Sequence, residues 1–570
     1  MNQSRRDALK FILSATALGG IGLVLAPARA SADGLRLNAV NVLTYGAAGD
    51  GLADDTAAIH AARDAAGVGG KVVIPPGTYL VSGLEADVVN QQWVLSDGAV
   101  LTMKTGAPNI LKIVGDGVTI SGGVFDGSNG TATDWSQHGI RVEANGVTIR
   151  DVEVRDSPMH GVYGVNCNSF TVIGCRIIEQ HGCGVFVQNG EADTTKYDIV
   201  ITGNYVKSSL DEYTGGIGVL GGSGVNTPNM FVERVTVTNN TVILKINPAF
   251  ESSCIGMSGC IQYVVSGNIL VGSHLGITCP KPTRTIISNN QIQQFNGAGI
   301  EIPGTVTDCV VSGNVIDAAG VTSTVFGSEM AGIWHSTTDK SVVRGLRIVG
   351  NTISGMNGDV TGIAMGRGTV ESVEITSNVI RGGICNKYVG VEITGPAKNV
   401  TISRNIFDAG TVATAIRSVN FLSGAVSDVA VATNSFISTS SRNTNYSISF
   451  NDSVTGAAVT GNTFEAPSSA QFSSLFSSVS ADSITFIGNT VNGGTSTFSS
   501  AMDIQGAVNG MTVSENQFMN LTEAVVRLAA STAVTLQNIR LVRNNVVKVP
   551  KQFSDVTSGG AVVATTVTYS

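Results

Sequence analysis

LRIVGNTI (residues 346–353), VEITSNVI (373–380), VTISRNIF (400–407) and VAVATNSF (429–436) are copies of one short unit. Each is a Val/Ile-containing run, an Asn, one variable residue and another apolar residue. The unit recurs at Asn204, Asn240, Asn268, Asn290, Asn314, Asn351, Asn378, Asn405, Asn434, Asn462, Asn489, Asn516 and Asn545. From Asn351 onward the steps are 27 to 29 residues, and before it they range from 22 to 37. Between the Asn units lies a second mark, in which a Gly precedes an aliphatic residue: Leu275-Gly276-Ile277, Ala298-Gly299-Ile300, Ala331-Gly332-Ile333, Thr361-Gly362-Ile363 and Val389-Gly390-Val391. Short apolar strands repeated every 20–30 residues and punctuated by Gly and Asn describe the coils of a solenoid.

Composition agrees. The chain of 570 residues has 69 Gly and only 13 % charged residues. β-branched residues suit a pleated surface, and Gly and Asn tolerate the left-handed backbone of tight corners. A globular chain of this length would split into several domains. A solenoid need not, because each coil packs only on its neighbours.

The N-terminus reads Ser4-Arg5-Arg6-Asp7-Ala8-Leu9-Lys10, then an apolar run from Phe11 to Ala26, then Ala28-Arg29-Ala30 and Ala30-Ser31-Ala32. This resembles a twin-arginine export signal over residues 1–32, with Ala8 where a Phe is commoner. The apolar run is short for a bilayer span. The expectation is a periplasmic or secreted protein without stable membrane insertion. Cleavage after residue 30 removes Arg5, Arg6, Lys10, Arg29 and Asp7 and takes the formal charge from −8 to −11. An acidic chain has no general electrostatic reason to bind nucleic acid. The eight Cys form no C-x-x-C pair, so zinc or thioredoxin-like chemistry is unsupported. Cys254 with Cys260 is the nearest disulfide candidate, against the plainer reading of Cys as a small inward hydrophobe.

Residues 38–83 differ from the rest. Val40 to Tyr45 reads as a strand and Gly46 to Gly51 as a turn. Asp54-Asp55-Thr56 offers N-cap chemistry for an Ala-rich helix to about Ala66, and Lys71 to Ile74 reads as a strand closed by Pro75-Pro76-Gly77. Such a helix would cover the open end of the first coil. The string VLTYGAAGDGLADDTAAIHAA, followed by GGKVVIPPGTYLVSG, resembles the start of the pectate-lyase-superfamily domain. The resemblance implies an all-β chain, a single-stranded right-handed parallel β-helix with an N-terminal helical cap. It further implies cap and first coil over 38–83, coils over 84–550 and a C-terminal tail over 551–570. It also implies a polysaccharide partner, but no particular reaction.

Functional side chains should cluster on one face over adjacent coils, because a polysaccharide lies lengthwise. Asp134-Trp135-Ser136-Gln137-His138-Gly139-Ile140 is echoed by Asp156-Ser157-Pro158-Met159-His160-Gly161-Val162, and then by Glu179-Gln180-His181-Gly182-Cys183-Gly184-Val185. Aligning Gly139, Gly161 and Gly184 places His138 beneath His160, with His181 two residues ahead of that register. The candidate catalytic residues are therefore Asp156, His160, His138, His181 and Asp211. Arg141, Arg155, Arg176, Trp135 and Tyr163 are candidates for substrate binding. A carboxylate with a His suits acid–base chemistry on a glycan. Paired carboxylates about 5–5.5 Å or about 6.5–9.5 Å apart suit retaining or inverting hydrolysis. A lyase or epimerase needs a base, a group that neutralises the uronate carboxylate and a proton donor. His160, Arg155 and Tyr163 fit those roles. The competing structural reading is that Asp before His is a corner contact that repeats because the coils repeat.

The Asp pair, Gly-His-Gly and Arg-Ile-Lys of the polygalacturonase group are not matched on these coils. Mannuronan C5-epimerases resemble the chain loosely, through the cap and VTIRDVEV (147–154), but they place Asp-Pro-His where this chain has Asp156-Ser157-Pro158-Met159-His160. Trp334-His335 offers a second sugar contact. No metal ligands are assigned, and calcium stays open as a cofactor for a lyase. The leading expectation is an exported enzyme cleaving a polysaccharide, acidic in one version, as lyase or glycoside hydrolase. A uronan C5-epimerase is the alternative within enzymes. A non-catalytic glycan-binding or tailspike-like β-helix is the alternative outside them. Monomer and homotrimer are both compatible with the sequence.

Overall fold

The computed structural model describes residues 39–570 except 132–135, 211–214, 222–229, 247–250, 320–329, 336–340, 357–359, 438–444, 466–473, 493–497, 529–535, 556–566 and 570. The expected export signal, Asp134, Trp135 and Asp211 thus lie outside the described residues. The strand pairings are parallel and join each coil to the next, which makes the chain a right-handed parallel β-helix with almost no helix. A representative coil has three strands, Cys183–Asn189, Thr195–Thr202 and Tyr205–Ser208. The next repeats them as Gly215–Gly221, Phe231–Thr238 and Thr241–Leu244, each paired to its counterpart.

The Gly-aliphatic mark sets the inner column of the first strands. Ile140, Val162, Val185, Ile217, Ile255, Ile277, Ile300, Ile333, Ile363, Val391, Val419 and Ile448 are successive register partners. All are buried. Burying one such side chain contributes about 2 kcal/mol, and the column repeats that contribution coil by coil. The residue before each of them also faces inward, and it is glycine except at Cys254, Ser418 and Ser447. A Cβ on Gly299 would sit 2.6 Å from Ile316 Cγ2 and 2.7 Å from the Gly332 carbonyl oxygen, so no side chain fits. Larger rings fill the later coils, with Phe407, Phe436 and Phe464 stacked at 5.1 and 4.6 Å.

The Asn units form a buried ladder at the corner between second and third strands. Asn378 Oδ1 accepts from the Asn351 backbone N–H and from Asn351 Nδ2, both at 2.9 Å. Asn378 Nδ2 donates to the Ile348 carbonyl at 2.9 Å and to Asn405 Oδ1 at 3.0 Å. Each amide so placed satisfies groups that the corner would otherwise bury unpaired. Cys175 takes the place of a rung at the near end, its N–H donating to Asn204 Oδ1. The far end corrects the sequence reading: the last rung is Asn544, whose Oδ1 accepts from Asn516, whereas Asn545 is an exposed strand residue. A second, short ladder of Asp116, Asn145 and Asn168 runs along the corner between first and second strands in the earlier coils.

At the N-terminus the expected strand is only Ala39–Asn41, and Val42–Tyr45 is a turn of 3₁₀ helix. The helix spans Thr56–Ala66 and buries Ile59, Ala62, Arg63 and Ala66 over the first coil. Its capping bond comes from Asp54, which accepts from the Thr56 N–H at 3.1 Å. Asp55 instead turns its carboxylate to the Ala48 and Gly49 N–H groups. Cys254 and Cys260 are free, as are Cys167, Cys175, Cys183, Cys279 and Cys309, so the disulfide candidate is not formed. All but Cys183 are buried, and burial raises their pKa, to about 12 for Cys254 and Cys279. Strands continue beyond the last Asn corner as Lys551–Asp555 and Val567–Tyr569, stacked on Leu521–Leu528 and Leu536–Val542.

Candidate functional site

Two consecutive inward residues in the first strand, such as Gly139 and Ile140, leave the residues on either side of them on its outer face. The polar-x-x-polar spacing therefore becomes two parallel outer rows. One holds His138, paired in register with Asn109, then His160 and Cys183. The other holds Lys112, Arg141, Tyr163 and Phe186 in successive coils. The rings of His138 and His160 stack at 5.3 Å with an interplanar angle of 3°. Tyr163 leans on both, at 4.5 and 5.4 Å, and Phe186 closes on His160 at 4.5 Å.

The imidazoles are interior to this cluster. His138 is 0 % and His160 2 % exposed. Burial, aided by His138, drives the His160 pKa down to about 3. The Cys183 N–H donates to its Nδ1 at 2.9 Å, which fixes the neutral tautomer with the proton on Nε2. His160 is thus a positioning residue for the two aromatic rings rather than a base near neutral pH.

The solvent-facing chemistry lies in the second row. Glu143 is bridged by Lys112 Nζ at 3.1 Å and Arg141 Nε at 2.6 Å, two cations on one carboxylate. Burial raises the Glu143 pKa, but these partners outweigh it and hold the carboxyl below its usual range. The Arg141 guanidinium stands 5.5 Å over the Tyr163 ring. The Tyr163 hydroxyl donates to Gln188 Oε1 at 3.1 Å, and burial pushes its pKa up, against Arg141, so it stays protonated. Asn109 is buried beside His138, and its Oδ1 has no hydrogen-bond partner among the described residues. An orphaned acceptor of that kind marks a place for a ligand or water.

A second cluster occupies the corner before the first strand. Asp156 and Glu179 adopt left-handed backbone at φ 50° and 54°. Burial and the charges of Asp126 and Glu179 raise the Asp156 pKa, with Arg155 and His181 opposing. Burial also acts to raise Asp126, yet hydrogen bonds from Ser128 and the Arg155 ion pair at 2.7 Å leave it low. Two carboxyl groups in one corner are thus pushed apart in pKa.

The sequence-derived candidates therefore separate. His138, His160, Arg141 and Tyr163 come together on the outer face. Asp156 and His181 sit at the adjoining corner, Asp156 sensing His181 and its acidic neighbours. Arg155 is held by Asp126, and Arg176 lies on the third strand, bound to Glu153 at 3.1 Å and set over the Tyr205 ring. Trp135 and Asp211 are outside the described residues. The residues missed were Asn109, Lys112, Glu143, Gln188 and Asp126. Of these, Asn109-Ile110-Leu111-Lys112 repeats the spacing of His138-Gly139-Ile140-Arg141 one coil earlier, hidden by Ile110 where the mark has Gly. Among the described residues no three His, Cys, Asp or Glu side chains converge as a metal-binding group. None of the helices there is long and apolar enough to cross a membrane.

The neutral burial of His160 makes a pH prediction. An unfolded His takes up its proton near pH 6.5, whereas folded His160 holds off until about 3. Between those values the unfolded state binds more protons, so stability falls as pH drops through the window, by up to about 5 kcal/mol. His335, lowered to about 4 by burial, has the same sign. Urea unfolding midpoints at pH 7 and pH 5 should fall further in the wild type than in His160→Gln. Equal falls in both proteins would show that His160 is not held neutral.

Residues 39–260, which contain the whole cluster, match the family model for rhamnogalacturonase A/epimerase, pectate lyase-like proteins. The chain is 49 % identical over 80 residues to mannuronan C5-epimerase AlgE3 of Azotobacter vinelandii, 14 % of this chain and 4 % of that protein. It is 48 % identical over 80 residues to AlgE5 of the same organism, covering 7 % of that protein. The aligned stretch is thus a small fraction of those relatives. Among solved structures, an exopolygalacturonase of Thermotoga maritima aligns over 65 % of this chain and 87 % of its own, with 12 % identity and a TM-score of 0.38. Bacteriophage phi29 gene product 12 aligns over 90 % and 72 %, with 14 % identity and a TM-score of 0.40. At such values the likeness carries no functional weight.

Proposed function

We propose that this is an exported enzyme acting on an acidic polysaccharide by proton transfer beside a uronate carboxylate. The observation that carries the reading is the outer row of Lys112, Arg141 and Tyr163, two cations beside a protonated phenol, within the family-matched residues. Lys112 and Arg141 share the single carboxylate of Glu143 and so keep one net positive charge, with which they would bind the uronate carboxylate and lower the cost of charge that develops when the adjacent proton leaves. Asp156, made more basic by its surroundings, would take the C5 proton. In a lyase the freed electron pair forms the C4–C5 double bond, the C4–O bond breaks, and Tyr163 protonates the leaving oxygen. In a C5-epimerase the same carbanion is reprotonated from the other face. The family match and the mannuronan C5-epimerase relatives support a polysaccharide substrate without deciding the reaction.

Glycoside hydrolysis is the second reading, favoured by the divergent pKa values of Asp156 and Asp126. The test is a panel of polygalacturonate, rhamnogalacturonan and polymannuronate. An ultraviolet-absorbing unsaturated uronate identifies a lyase, and new reducing ends without it a hydrolase. Altered uronate stereochemistry without cleavage identifies an epimerase. Binding without turnover of any of the three would make the chain a glycan-binding β-helix and overturn the proposal.

A further inference from the structure

We propose that Trp334 forms a distal sugar-stacking subsite on the same face, so that the bound polymer runs from Tyr163 to Trp334. The inference rests on the polysaccharide reading above and adds to it the length and direction of the bound chain. Register carries it. The outer row that begins with Lys112, Arg141, Tyr163 and Phe186 continues through Gly218, Gly256, Thr278 and Glu301 to Trp334. Six parallel pairings separate Tyr163 from Trp334, and at about 4.8 Å each they set the two aromatic side chains ~29 Å apart along the helix axis.

The floor between them suits a chain lying flat. Gly218 and Gly256 raise no side chain from the row, and Thr278 is short, so nothing on it blocks passage from Phe186 onward. No charge stands on the row between Arg141 and Glu301, which confines carboxylate recognition to the Tyr163 end. The row then rises into a half-buried indole. Trp334 is flanked in register by Glu301 and Ala364, and beside it on the neighbouring row by Ala331. Small neighbours leave an apolar ring face on which a sugar's C–H face can stack. Glu301, the preceding residue of the row, is itself buried, with one carboxylate oxygen held at 2.7 Å by the Thr278 hydroxyl, so it stays down beside the ring and leaves the indole as the raised group. The orientation of Trp334 is itself secured by the next residue. His335 turns inward, is 2 % exposed, and has its Nε2 2.7 Å from the Gly304 carbonyl oxygen. Strand alternation then requires Trp334 to face out. Of the Trp334-His335 pair, only the Trp is available to a ligand.

The experiment measures binding of polygalacturonate and polymannuronate, each as trimers and as long chains, to the full chain and to Trp334→Ala, Trp334→Phe and Tyr163→Phe. Trp334→Ala should weaken long chains at least about tenfold more than trimers, and Trp334→Phe should recover most of that loss. Trp334→Phe and Tyr163→Phe keep a ring in place and should keep the wild-type thermal midpoint, and Trp334→Phe serves the test should the Ala variant fold poorly. Equal effects on trimers and long chains, or no effect on either, would overturn the distal subsite while wild-type binding leaves the Tyr163 site standing. Failure of the wild type to bind either glycan, or rhamnogalacturonan, would overturn both together.

Discussion

Tyr163→Phe should lower turnover by about 10²–10⁴-fold on whichever uronan the wild type converts, with little change in KM. The substitution removes one oxygen and nothing else of consequence to the fold. The ring keeps its contacts with His138 at 4.5 Å, His160 at 5.4 Å and Phe186 at 5.8 Å. Only the bond to Gln188 is lost, and that acceptor is half-buried beside solvent. Arg141→Ala should behave in the opposite way, raising KM, because it removes carboxylate recognition and the cation over the Tyr163 ring. The pH profile gives a third reading. If Asp156 is the base, kcat/KM rises with pH through a midpoint above the ordinary aspartate range, since its surroundings raise its pKa. Asp156→Asn should abolish that limb. Full turnover by Tyr163→Phe, on a glycan the wild type converts, would remove the phenol from the mechanism and return the chemistry to the corner carboxyl groups.

The parts of this site that were legible in sequence are those that repeat. The Gly-aliphatic mark is forced by close packing, as the 2.6 Å approach at Gly299 shows, so aligning it aligns the coils. That is why His138 falls under His160 in the sequence and stacks with it in the structure. The Asn ladder was readable for the same reason: each amide must meet the next, so its spacing is the coil length. Its last rung was misplaced because Asn544 and Asn545 are adjacent and both precede an apolar residue or another Asn. The left-handed Arg543 turns Asn544 inward, and local pattern does not reveal that choice.

What does not repeat was harder to see. Asp156 and His160 look like a dyad because four residues separate them. The left-handed turn at Asp156 instead places the carboxyl among Asp126, Arg155 and Glu179, while His160 enters the next strand and is buried among rings. Arg155 and Arg176 look available by proximity in sequence, yet each already has a carboxylate partner on the third strand. Lys112 and Asn109 belong to the preceding coil, and only register brings them beside Arg141 and His138. Ordinary motif reading looks along the chain, whereas this face is assembled across it.

Asn405→Ala should be the most damaging single truncation in the later coils, costing about 5 kcal/mol. The amide of Asn405 accepts from the Asn378 N–H at 2.9 Å and from Asn378 Nδ2 at 3.0 Å. It donates to the Ile375 carbonyl at 2.9 Å and to Asn434 Oδ1 at 3.0 Å. Alanine deletes all four bonds and leaves their partners in a corner where Asn378, Asn405 and Asn434 are at most 2 % exposed. A buried group that loses its partner costs about 1–3 kcal/mol, so the sum far exceeds the lost contact area of one amide. Asn405→Asp should be nearly as harmful, because a carboxylate can accept from Asn378 but cannot donate to Ile375 or Asn434, and it carries charge into a dry corner. At the end of the ladder the same chemistry meets water: Asn544 is half-exposed, so Asn544→Ala should cost about 1 kcal/mol or less. Because coils couple chiefly to their neighbours, the damage at Asn405 should spread locally. Hydrogen exchange should show lost protection at the corners of Asn378 and Asn434 before it reaches the coils of His138 and His160. Denaturation midpoints of Asn405→Ala and Asn544→Ala decide the matter, and equal shifts would mean that the ladder's strength lies in its backbone pairing, with the side-chain amides incidental.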